Sequence, residues 1–138
     1  MIIEDYHNII AEIVQIDTDV NSIAESRRLI SEINEREAIL LKLKESVRRD
    51  IRTEESNYIK NKAALREKYS MNQKLGITGM IMGSPKKILI KELKNLESEY
   101  NTNMEELREL RYIIDDLLIQ FNDLKEPLNR SIRDRFGN

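Results

Sequence analysis

The stretch 76–87, GITGMIMGSPKK, limits the fold more than any other part of the chain. It holds three of the four glycines and one of the two prolines. On either side run long segments with helical hydrophobic spacing and almost no breakers. Each glycine disfavours a helix interior by about 1 kcal/mol relative to Ala, so Gly76, Gly79 and Gly83 together end the helix before them. Ser84 and Pro85 then begin the next one. Ser is a good N-cap, and Pro at the first helical position loses no hydrogen bond. The pattern predicts an antiparallel helical hairpin, a coiled coil, with this stretch at its tip.

Composition supports an all-α chain. Charged residues make up 35% and aromatics 5%, with no Trp and no Cys, which suits long helices better than a compact sheet. The absence of Cys removes disulfides and thiolate metal sites and fits a reducing compartment. The first ten residues, MIIEDYHNII, are acidic where a secretory signal is basic. No apolar run approaches the ~20 residues of a membrane span. The expected location is therefore cytoplasmic.

In chain order, residues 2–16 carry an i, i+3, i+4, i+7 pattern and read as an N-terminal helix. Its apolar face, with Ile3, Tyr6, Ile9, Ile10 and Ile13, is wider than a two-stranded seam and needs more than one packing partner. Residues 17–22, DTDVNS, favour their own backbone over helix, and Ser22 with Glu25 has the form of a capping box. A long helix is expected over 22–72, a glycine-rich tip loop over 73–84, and a second long helix over 85–126. Pro127 is expected to break or kink the chain before a short helix over 127–136. All of this is read as one elongated domain, 1–138.

A hairpin folded near residue 79 pairs residues whose numbers sum to about 158. Tyr69 then meets Leu89, Leu65 meets Leu93, Tyr58 meets Tyr100, Ile51 meets Leu107 and Leu40 meets Leu118. The apolar patch 38–43 falls opposite 113–121, and the polar patch 53–57 falls opposite 101–103. Residues 1–19 have no partner in this register. Either they fold back as a third helix at the base of the hairpin, or they pair with another molecule.

The net charge of −2 conceals a pattern. Residues 1–40 carry three basic and nine acidic groups, 60–94 carry nine basic and two acidic, and 95–126 carry three basic and nine acidic. The positive charge lies around the tip. Lys86 and Lys87 sit in a first helical turn, where the macrodipole prefers acids.

No nucleotide loop, zinc-protease, EF-hand or nucleophile-elbow motif occurs. The single His7 has no second His to complete a ligand set. Neighbouring carboxylates such as Glu54 and Glu55 point about 100° apart on a helix and do not converge. No catalytic residue, metal ligand, cofactor or small-molecule substrate is assigned, and the chain is read as a non-enzyme. The expected function is an interaction, scaffold or adaptor protein. It would contact a protein partner through the tip residues Lys74, Ile77, Met80, Ile81, Met82, Lys86 and Lys87. Ile3, Tyr6, Ile9, Ile10 and Ile13 would pack the base or form a homodimer. Two alternatives use the same tip: binding of nucleic acid through the net-positive region, and insertion of the loop into an anionic membrane surface.

Overall fold

A computed structural model describes residues 3–75 and 85–136. These form three helices: α1 (Ile3–Ile13), α2 (Ile23–Leu75) and α3 (Pro85–Phe136). The fold is all-α. The two long helices pack against each other as a hairpin, and α1 folds back as the third helix. Of the stretch 73–84 expected as the tip loop, 73–75 belong to α2 and 76–84 lie outside the described residues.

α1 begins with Glu4 and Asp5 in its first turn, which suits the positive end of the helix dipole. It ends at Ile13, three residues earlier than the apolar spacing implies. Beyond it the chain closes local turns: Val14 N–H donates to the Ile10 carbonyl at 3.1 Å, and Asp19 N–H donates to the Asp17 carboxylate at 3.0 Å. The latter bond offers the backbone an alternative to helix, as Asp commonly does. α2 then starts with a reciprocal cap. Glu25 N–H donates to Ser22 Oγ at 3.2 Å, and Asn21 N–H donates to Glu25 Oε2 at 2.6 Å. Such a cap contributes about 1 kcal/mol. At its other end α2 reaches Leu75, up to the first glycine of the tip stretch.

Of the break or kink expected at Pro127, the structure overturns the break. α3 runs through it without ending and continues to Phe136. The missing N–H leaves the Asp123 carbonyl without its usual donor, and the ring crowds the same turn. That local cost is outweighed because the apolar face resumes at once with half-buried Leu128 and Ile132. Pro127 itself is exposed. Replacing it with Ala is expected to stabilise the fold by about 2 kcal/mol, since Pro is ~3 kcal/mol worse than Ala inside a helix while its loss frees the unfolded chain by up to ~1 kcal/mol. A urea midpoint that fell instead of rising would show that the proline is required by its surroundings.

Packing divides the chain into two units. The first comprises Met1–Arg48 with Arg108–Asn138. Here α1 buries Tyr6, Ile10 and Ile13; α2 buries Leu29, Ile33, Leu40, Leu43 and Val47; α3 buries Leu110, Ile114 and Phe121. Arg36 Nη1 donates to the Glu12 carbonyl at 3.4 Å and ties α1 to α2. Lys44 pairs with Asp115 at 2.6 Å, and Lys125 bridges Glu37 at 2.7 Å and Asn34 at 3.1 Å. These pairs fix α2 against α3.

The second unit is Arg49–Leu107. It contains only α2 and α3, so each helix has one neighbour and fewer positions close over. Tyr69, Met104 and Leu107 are buried. Tyr58 and Tyr100 stack with ring centroids 4.2 Å apart, the pairing that the hairpin register requires. At the polar patch, Asn103 Nδ2 donates to Glu54 Oε1 at 2.9 Å. A side-chain hydrogen bond thus occupies the level where both seams lack an apolar residue.

Candidate interaction surface

The start of α3 combines exposed charge with an exposed apolar side chain. Lys86 and Lys87 stand in its first turn, which contains no acidic residue, and both are exposed. One turn further lie Lys91 and Lys94, also exposed. Ile90 sits among these four lysines and is 44% exposed. It is off the inward stripe because Leu89, Leu93 and Leu96 occupy that stripe at steps of four and three, each half-buried.

The one acid in this stretch is engaged elsewhere. Glu92 accepts a hydrogen bond from the Tyr69 phenol. Burial first, and then this bond and the carboxylate charge, hold the Tyr69 pKa above its ordinary value of 10.0. Glu92 is therefore turned toward α2. On α2, Lys62 lies over the Tyr58 ring at 5.5 Å and Lys68 over the Tyr69 ring at 5.6 Å. Ile59 is 66% exposed, with Lys60 and Arg66 exposed near it in sequence.

Among the described lysines, the ion pairs that cross between helices fall in the first unit. In the first unit Lys44 and Lys125 are bound to carboxylates on the facing helix. In the second, no ion pair among the described residues involves Lys60, Arg66, Lys86, Lys87, Lys91 or Lys94. Like charges three or four residues apart on a helix repel, so holding four lysines within nine residues is a local cost without a structural return.

Of the remaining residues singled out in the sequence, Lys74 falls in the last turn of α2. Ile77, Met80, Ile81 and Met82 lie outside the described residues. At the other end of the chain Tyr6, Ile10 and Ile13 are buried, while Ile3 and Ile9 are half-buried. Sequence reasoning counted Lys91 and Lys94 only within the net-positive region 60–94 and did not single out Ile90. The signal was present: Ile90 stands one step off the leucine seam, with lysines four residues before and after it.

Among the described residues no group of three His, Asp or Glu side chains is arranged to hold a metal ion. The hollows are open and lined by charge. One of about 570 Å³ is bounded by Asn122, Lys125, Glu126, Asn129, Ile132 and Arg133. Another of about 380 Å³ is bounded by Arg108, Arg111, Tyr112 and Asp115. Among the described residues no helix is long and apolar enough to cross a membrane. No protein-family model, no curated protein and no solved structure matches this chain.

Proposed function

We propose that this chain is a non-enzymatic, cytoplasmic coiled-coil scaffold that contacts an acidic protein partner through the lysine-rich end of its hairpin. The observation that carries the reading is the set of four exposed lysines around Ile90, free of ion pairs among the described residues, on a helix whose fifth lysine, Lys125, is paired to the Glu37 carboxylate. Clustered lysines oppose helix formation at the positive end of the dipole. An anionic partner removes that cost, and a neighbouring apolar contact adds affinity. Lys74, with Ile77, Met80, Ile81 and Met82 of the stretch 76–84, completes the contact. Methionine suits such a role because it repacks on differently shaped partners.

The test compares the wild type with Lys86→Glu/Lys87→Glu. Three probes are offered at low and high salt: an acidic helical peptide, a single-stranded oligonucleotide and phosphatidylserine vesicles. The variant should melt at or slightly above the wild-type temperature, gaining at most ~1 kcal/mol per site from the dipole. Its affinity for the acidic peptide should fall at least about tenfold, equivalent to ~1.4 kcal/mol. Preferential binding of the oligonucleotide, with a steep salt slope, would replace this reading with nucleic-acid binding. Preferential vesicle binding would replace it with a membrane role. Equal behaviour of variant and wild type toward every probe would remove the function from this end of the chain.

A further inference from the structure

The outward side of α3 carries a second stripe, of opposite charge. Glu109, Tyr112, Asp116, Ile119 and Asp123 follow one another at steps of three and four, so they share one face of the helix. That face points away from buried Leu110, Ile114 and Phe121 of the same segment. All five residues are exposed. Tyr112 is 77% exposed and Ile119 61%, the two most exposed large apolar side chains of the first unit. They stand seven residues apart, about 10 Å along a helix. Gln120 Nε2 donates to Asp116 Oδ2 at 2.8 Å and holds that carboxylate on the helix surface between them.

We infer that this stripe docks the lysine-ringed Ile90 segment of a second copy of the chain. The inference deepens the function proposed above, on which it rests for the basic side, by naming the acidic partner. Charge complementarity argues for this occupant. Residues 86–94 carry four lysines and one Glu, net +3; residues 109–123 carry four acids and one Arg, net −3. Both segments occur in every copy, at equal concentration. Their apolar residues match in spacing as well. Ile90 of one copy enters between Tyr112 and Ile119 of the other, as a knob enters a hole framed by residues four and three apart. Lys87 and Lys94, one turn to either side of Ile90, then reach the carboxylates of Glu109, Asp116 and Asp123. The arrangement leaves Asp115 with Lys44, to which it is already paired. Arg108, four residues before Tyr112, adds a like charge beside the stripe and moderates the attraction.

Sedimentation velocity on the full chain over a micromolar-to-millimolar series tests this. Wild type should rise from its monomer mass of 16.3 kDa toward twice that value, and return toward monomer at about 0.5 M salt, where charges are screened beyond a few Å. Glu109→Lys/Asp116→Lys/Asp123→Lys should raise the dissociation constant at least tenfold, as should Lys87→Glu/Lys91→Glu/Lys94→Glu. An equimolar mixture of the two charge-reversed variants should restore association. All six positions are exposed, so circular dichroism should show unchanged helicity. Tyr112→Ser/Ile119→Ser, which leaves charge unaltered, should also weaken the dimer. A wild type that stays monomeric at all concentrations overturns the inference, as does a dimer insensitive to the acidic-stripe variants, or a mixture that fails to associate. In each case the acidic-peptide measurement still stands alone, because it reads only the lysine end.

Discussion

Replacing Ile10 and Ile13 together by Asp is expected to release α1 and to lower stability by about 3–6 kcal/mol, as each buried Ile contributes roughly 1.5–3 kcal/mol. Both side chains are buried in the first unit. Neither carboxylate has a partner there, so the helix undocks to keep its new charges in water. Once undocked, α1 should also lose its helix, since eleven residues are too few to be stable alone. The expected result is a melting temperature lower by about 10–20 °C for a chain of this size, together with loss of the Arg36 bond to the Glu12 carbonyl. The uncovered face of α2 and α3 should promote aggregation. Ile9→Asp, at a half-buried position, is the internal control and should cost less. A double variant that melts like wild type would mean that α1 adds nothing to the first unit.

Truncating Leu40 and Leu41 one at a time should give opposite results from identical chemistry. Leu40 is fully buried between the helices, whereas Leu41 is 57% exposed. Leu40→Ala removes the packed side chain and leaves a cavity, at an expected cost of about 2–5 kcal/mol. Leu41→Ala removes contacts mostly with water and should stay within about 0.5 kcal/mol. Urea denaturation reads both, with equal slopes if the unfolded state is unaffected. Similar losses at the two positions would show that Leu41 is covered in solution, by a second copy or another partner.

These two leucines also show how far the sequence could be read. The run 38–43, AILLKL, is apolar nearly all round, so periodicity alone does not say which side faces inward. The choice was made by neighbours distant in sequence. α1 covers one side of α2, and α3 covers another through Lys44 with Asp115 and Lys125 with Glu37. The courses of α1 and α3 have a related cause. Local preferences imply a longer first helix and a break or kink at Pro127. In the fold, α1 ends where its burial ends, at Ile13, and packing of Leu128 and Ile132 carries α3 past the proline.

The sequence by itself determined the hairpin and its register. Three glycines and a Ser-Pro start place the turn near residue 79, and with the turn placed the two heptad seams align so that Tyr58 meets Tyr100. The Ser22 cap was legible for the same reason: it is made by residues three and four apart. The tertiary structure alone decided where α1 docks, which groups of the two facing polar patches hydrogen-bond, Asn103 with Glu54, and that Glu92 turns to Tyr69. Those outcomes depend on which side chains arrive opposite one another from remote parts of the chain, and no local period encodes them.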